Sequence, residues 1–560
     1  FQIEVLAFIV TTNCFTILLA IVTTSHPSIL PVAMYFKPPG VNISPSFVSD
    51  GEKNAAVITV PPRFRGTHAD QKDMAMLGKP QELRRNFRFV TMLGFASTVM
   101  SSWELLLPLW SFVLTDGGTP ILFWGFIVVG FIMGLVYASI AELASMSPTS
   151  GGQYHWVSEC APVSVRKLLS YTTGWLCAIG WQVYLAGVCF MIGRIIQGLM
   201  ILNLDSYDPQ PWHVTLITIA VAILAIMFNT VLAEQLPVLE GVALLLHMLG
   251  FFAIIIPLWV MGPRRNSYDT LLNFTNNGGW PSTSLSAMIG MSASPLSVLI
   301  GFDCSVHMAE EIRDASITLP KAMVWSVGPN ALMAFLMGIT LSFTVGNPDA
   351  IAMTPTNEPF IQIFFNATNS HGATNAMCAT IIIMLMCNAV SEVATASRQI
   401  WSFARDGGLP CSKWLATVTP GWNIPIRAVS VPLVVTSAIA CINLGSSTAL
   451  NAINSLGGVA ILTSYIIAIS ALIWRRLYGA PLPRRRWSLG QSGLWINIAA
   501  VALLLPVWFF MFWPLAQPVT ATDMNWSSTM FGGVMIIALV YYAFKGKHEY
   551  IEPVLLIKRD

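Results

Sequence analysis

Residues Ser286 to Glu311 read SAMIGMSASPLSVLIGFDCSVHMAEE. The stretch begins as an apolar helix of the membrane type. It breaks at Ile300-Gly301-Phe302, where Asp303 follows at once, and His307, Glu310 and Glu311 come after it. A carboxylate at bilayer depth costs at least a few kcal/mol, so such a group is kept for a task. Gly301 weakens the helix where the charge sits. Non-helical backbone at that depth is tolerated only inside protein or beside a wet cavity, and interrupted helices of this kind carry the binding sites of secondary transporters. The competing reading is a kinked packing helix whose acid lies near the membrane edge.

The rest of the chain has a matching composition. Of its 560 residues 55% are hydrophobic and 10% charged, with a mean hydropathy of +0.66. A soluble domain carries about 25% charged residues, so an all-α polytopic membrane protein is expected, with the lipid bilayer as its first partner. The net charge of +2 comes from basic residues scattered over short loops, which makes no nucleic-acid surface. Nine cysteines stand singly, without CxxC pairs or His/Cys metal spacing, so neither disulfide framework nor metal site is indicated. The lack of a GxxxxGK[ST] stretch argues against a built-in ATPase, and no cofactor is implied.

Residues 1–34 are apolar, begin with Phe and lack the positive start of a signal peptide. They form an uncertain N-terminal extension: an extra span, a misassigned gene start or a truncated one. Residues 35–87, polar and rich in Pro, Gly and Ser, read as a disordered cytosolic tail. Residues 88–545 form the transmembrane domain and 546–560 a short cytosolic tail. Apolar segments long enough to cross about 30 Å of hydrocarbon fall near 89–114, 119–146, 166–202, 211–234, 236–262, 286–310, 321–346, 373–403, 426–444, 448–474, 493–517 and 526–545, about twelve spans by that criterion. Lys and Arg clusters, among them Arg84, Arg85, Arg88, Arg405 and Arg484 to Arg486, fall on one side if both termini are cytosolic, with Arg264 and Arg265 the exception. The Asn-x-Ser/Thr sequons at Asn273, Asn366 and Asn525 fall on the other side.

The first span, RFVTMLGFASTVMSSWELLLPLW from Arg88 to Trp110, shares the design of the sixth. Gly94 opens it, Ala96 to Ser102 are small and polar, and Trp103 and Glu104 follow. Small hydroxyl residues can replace lost backbone hydrogen bonds where a helix unwinds. Interruptions five spans apart are what two inverted five-helix repeats give; a close helix–helix packing face is the simpler alternative. After the second span, SPTSGGQYHW (Ser147 to Trp156) reads as a re-entrant gate or a tight turn. Trp175, Trp181, Gln182 and Tyr184 line the third span, and aromatic faces suit a cationic amine. Asn388, Ser391, Glu392 and Thr395 make a polar stripe in the eighth. Arg194 either pairs with an acid or snorkels outward, and His247 reads as a packing residue rather than a proton relay.

Four of these stretches carry a resemblance: Pro148 to Trp156 (PTSGGQYHW), Gly174 to Gln182 (GWLCAIGWQ), Gly301 to Glu311 (GFDCSVHMAEE) and Ser397 to Pro410 (SRQIWSFARDGGLP). In order and spacing, from about residue 75 to about 548, the chain resembles fungal permeases of the amino acid/choline transporter family, which includes the GABA and choline permeases of the amino acid–polyamine–organocation superfamily. The resemblance implies a LeuT-like 5+5 inverted repeat with discontinuous helices 1 and 6, plus two further helices. It also implies proton-coupled uptake of amino acids, GABA, choline or related amines across the plasma membrane, or a vacuolar or other organelle membrane.

Residues and resemblance together give an expected site between the first and sixth spans. Free N–H groups at Ser101, Ser102 and Trp103 would receive a substrate carboxylate. Carbonyls around Ile300 and Gly301, with Asp303, would favour an amine, and for choline the faces of Phe302, Trp103 and Trp181 would matter more. Asp303 is the first candidate for proton coupling and Glu104 the second. Two other classes stand beside this reading. An enzyme would need clustered His and Asp or a metal motif, which the sequence lacks. A nutrient sensor with a transporter fold would bind substrate without net transport.

Overall fold

The computed structural model describes residues 62–445, 447–520 and 524–558; the expectations for residues 1–34 and for the 35–61 part of the tail lie outside them. Eleven described helices are long and apolar enough to cross a membrane: Phe89–Leu109, Pro120–Met146, Arg166–Asn203, Pro211–Thr230, Ala233–Met261, Thr283–His307, Ala315–Thr344, His371–Arg405, Ser455–Tyr478, Gly490–Phe510 and Ser527–Leu556. Between the eighth and ninth of these lies Ile426–Ile442, an apolar helix of 17 residues. At about 1.5 Å per residue it falls a few ångström short of the hydrocarbon thickness. In chain order it takes the place of the ninth expected span. The numbering of spans below therefore runs from one to twelve, with Ile426–Ile442 as span 9.

Spans 1 and 6 are both interrupted. In span 1 the helix Phe89–Met100 ends at Ser101, whose backbone turns left-handed (φ 36°), and a second helix starts at Ser102. The carbonyls freed at the break find partners. Asn388 Nδ2 donates to Val99 O at 2.9 Å, and Ser101 Oγ donates to Thr98 O at 2.5 Å. In span 6 the helix ends at Ala293, a short 3₁₀ turn spans Ser297–Leu299, Ile300 is extended, and helix resumes only at Cys304. Gly301 sits at φ +112°, a conformation that costs glycine alone little. Tyr137 OH donates to Leu299 O at 2.7 Å and Tyr184 OH to Ser297 O at 3.0 Å, so tyrosines of spans 2 and 3 replace lost helix bonds.

The second symmetry mark lies in the connections. A short helix, Gln153–Cys160, stands between spans 2 and 3, and another, Pro359–Thr368, stands between spans 7 and 8. Broken spans and inserted helices both recur five spans apart, the pattern of a 5+5 repeat.

The expectation of a disordered tail over 35–87 fails for its described part, residues 62–87. Helix His68–Met76 is closed by a capping box between Thr67 and Asp70. The Asp70 carboxylate also accepts the N–H groups of Asp314 and Ala315 at 2.8 and 2.9 Å. Arg85, buried, donates to the carbonyls of Ala309 and Ile312 at 3.1 and 2.6 Å. Polar residues that suggest disorder are here paired with the backbone that follows span 6. The C-terminal tail joins the same face, where Lys558 N–H donates to Met76 O at 2.7 Å. Both ends of the described chain therefore meet on one face of the bundle, called the terminal face below.

Candidate functional site

Asp303 sits at the centre of a buried polar hub. Gln153 Nε2 donates to its Oδ2 at 2.5 Å, Trp181 Nε1 to the same oxygen at 3.3 Å, and Tyr465 OH to Oδ1 at 2.5 Å. His307 Nε2 lies 3.7 Å from Oδ2. All five side chains are buried. Phe302 stacks on Tyr137 and lies 5.1 Å from the Tyr465 ring. Gly301 faces the other break: a Cβ there would sit 3.7 Å from Val99 Cγ1 and 3.9 Å from Trp181.

The structure thus gathers Ile300, Gly301, Phe302, Asp303 and Trp181, and it sends the side chains from span 1 elsewhere. Ser102 Oγ donates to Asn330 O of span 7 at 2.9 Å. Trp103 packs against His247 and Phe251 of span 5, each ring 5.9 Å away. Glu104 Oε1 lies 2.7 Å from His247 Nδ1, both buried, so His247 is paired with an acid where the sequence suggested plain packing. The Ser101 N–H donates to Ser97 O at 3.0 Å, whereas the half-helix that starts at Ser102 begins, like any helix, with N–H groups that lack intrahelical acceptors. In span 8, Ser391 donates to Glu240 Oε1 at 2.6 Å. Gln153 and Tyr465 are hub residues not anticipated as such. Gln153 does lie in the SPTSGGQYHW stretch singled out as a gate; Tyr465 carries no signal beyond being a polar tip in an apolar helix.

A cavity of about 490 Å³ opens from the face opposite the termini. It descends past Arg194 and Glu358 to Leu105, Tyr184, Ser297 and Ile300. At its rim Arg194 Nε pairs with Glu358 Oε1 at 2.8 Å, which resolves the two readings of Arg194 in favour of an acid partner. Burial pushes the Glu358 carboxyl up to about 7, against the pull of Arg194. A group that holds its proton more tightly folded than unfolded gives most stability below its unfolded value, and that stability falls as pH rises through the interval to about 7. At 1.36 kcal/mol per unit, from 4.5 to about 7, the loss is about 3 kcal/mol. Glu358→Gln is therefore expected to flatten the fall in thermal stability between pH 5 and pH 8. An unchanged slope in purified protein would show that Glu358 does not titrate there.

The terminal face is sealed. Arg405 of span 8 grips Glu310 with two hydrogen bonds, 2.9 and 2.6 Å. Arg398 reaches Glu311 at 2.8 Å, and Lys79 reaches Asp406 at 2.9 Å. Burial alone would raise the Glu310 carboxyl, but Arg405, with Lys79 and Arg85 behind it, outweighs burial and holds it down at about 2. Glu310 therefore stays ionised at any physiological pH. The chain therefore holds two facing helix breaks, a cavity leading to them from one side and a closed salt-bridge layer on the other.

Comparison with known proteins agrees with that geometry. The family model described as amino acid permease matches residues 87–539. The chain belongs to the amino acid permease family. It is 30% identical over 440 residues to a Macrophomina phaseolina protein named as an amino acid/polyamine transporter, covering 78% of this chain and 97% of that protein. With amino-acid permease 2 of Neurospora crassa it shares 27% identity, over 90% of this chain and 92% of the relative. The choline transporter of Saccharomyces cerevisiae is 26% identical over 86% of this chain and 85% of its own length. The family match and the eleven described helices long and apolar enough to cross a membrane make the protein a multi-pass membrane permease. Among the described residues no group of His, Cys, Asp and Glu is arranged to hold a metal.

Proposed function

We propose that this permease is a proton-coupled symporter that imports an amino acid, GABA, choline or a related amine by alternating access. The observation that supports this most is the pair of helix breaks at Val99–Ser101 and Ile300–Asp303. They meet beyond a cavity that is open to one face and closed to the other. The half-helix starting at Ser102 offers N–H groups and a positive dipole end to an anionic substrate group. Trp181 and Phe302 present aromatic surface, with carbonyls of the span 6 break, to a cationic one. Asp303 is the first proton-coupling residue, and Glu104, paired with His247, the second. The sealed terminal face is cytosolic, which puts its many Lys and Arg residues inside, and the cavity faces the exterior or an organelle lumen.

Purified protein in liposomes tests this reading. An inward-acid gradient should concentrate one radiolabelled member of a panel of amino acids, GABA, choline and polyamines above its outside level, and a protonophore should abolish the effect. Saturable binding without accumulation of any of them would instead identify a sensor.

A further inference from the structure

His307 lies in the same broken segment as Asp303, yet nothing so far gives it a task. Its Nδ1 is 2.9 Å from the carbonyl oxygen of Ser150. A carbonyl can only accept, so Nδ1 carries a hydrogen. Nε2 then decides the charge of the ring. It points toward Asp303 Oδ2, 3.7 Å away, and has no hydrogen-bond partner. With Nε2 bare, a lone pair faces a carboxylate in a fully buried site. With a proton there, His307 is an imidazolium beside an anion. Among the described residues His307 is the one basic side chain within ion-pair distance of Asp303. The other titratable groups facing the pair are Tyr137 of span 2, Cys177 and Tyr184 of span 3, Tyr465 of span 10 and Cys304 beside it. None of these supplies a positive charge.

We propose that His307 Nε2 carries the transported proton, with Asp303 as its counter-ion. This rests on the reading that the protein is proton-coupled. Loading the proton makes the pair neutral overall; losing it leaves a buried negative charge without a cation, a costly state in a dry site. The same ring is tied to the seal. Ser150 accepts from Nδ1, while its own N–H donates to Glu310 Oε1 at 3.3 Å, and Glu310 is held by Arg405. A shift of the imidazole on deprotonation therefore pulls on the loop that helps close the terminal face. In this scheme the proton leaves for water on the terminal side once that face opens: the Nε2–H bond breaks, its electron pair stays on Nε2, and the water oxygen takes the proton.

The experiment uses the full-length protein in liposomes with whichever panel member it accumulates. His307→Gln keeps an amide donor for Ser150 but cannot take up a proton. The expected result is counterflow exchange within about threefold of the parent, at least a tenfold loss of acid-driven accumulation, and an uptake rate that no longer varies between pH 5 and pH 8. Acid-driven accumulation equal to the parent's would overturn the proposal while leaving proton coupling intact. A parent protein with no response to a pH gradient would instead overturn proton coupling itself, and this proposal with it. Should the glutamine variant fail to insert, His307→Asn carries the same comparison. A merely structural histidine would lower all rates together and leave the pH profile unchanged.

Discussion

Asp303→Asn is expected to abolish uphill accumulation while the protein still inserts and folds. The carboxylate accepts from Gln153, Trp181 and Tyr465. An asparagine keeps one accepting oxygen but turns an NH₂ donor toward donors that need an acceptor. Leaving such a buried group unsatisfied costs about 1–3 kcal/mol, which a bundle of this size tolerates. The charge that pairs with a proton at His307 is lost altogether. Counterflow, which moves no net proton, should fall less than net uptake. Proteoliposome assays of both quantities decide the matter, and normal accumulation by the variant would remove Asp303 from the coupling step.

Arg405→Ala has the second large effect, and it acts on the seal. Removing the guanidinium leaves Glu310 buried without its bidentate partner. Breaking a buried pair on one side costs about 3–5 kcal/mol, because the remaining charge is uncompensated. Adding Glu310→Gln to Arg405→Ala should recover much of that loss by removing the stranded charge. The two variants should also differ from the parent in access, with residues near Ser150 becoming reactive from the terminal face. Thermal unfolding of the purified proteins checks the energetics. A single variant as stable as the parent would mean that the Glu310–Arg405 contact contributes little to the closed state.

Which features the sequence could reveal follows from how local their causes are. Span positions are legible because each helix carries its own apolar length. The break at Gly301 is legible because a glycine and an acid interrupt an apolar run. The break in span 1 shows as a hydroxyl-rich patch, although nothing in that patch picks out Ser101 as the left-handed residue. Span 9 is shorter than expected because Asn443 to Gly445 form a turn that hydropathy does not register. Order in residues 67–88 was hidden because its partners, Ala309 to Ala315, lie more than 200 residues away. The hub around Asp303 follows the same rule. Gln153 and Tyr465 arrive from 150 and 162 residues off, and His247 looks like packing until Glu104 is seen beside it. Single polar residues inside apolar helices gain meaning only once the fold shows which of them converge.

Substrate is expected to reach the facing breaks through the cavity on the side opposite the termini. Leu105 lines that cavity just beyond the break in span 1. A Leu105→Cys variant, made in a background without the exposed Cys411 and Cys441 or other reactive thiols, can be treated with a small membrane-impermeant thiol reagent from either side. The expected result is fast labelling from the cavity side, slow labelling from the terminal side, and protection by saturating substrate. Labelling that substrate leaves unchanged, or that proceeds equally from the terminal face, would contradict it.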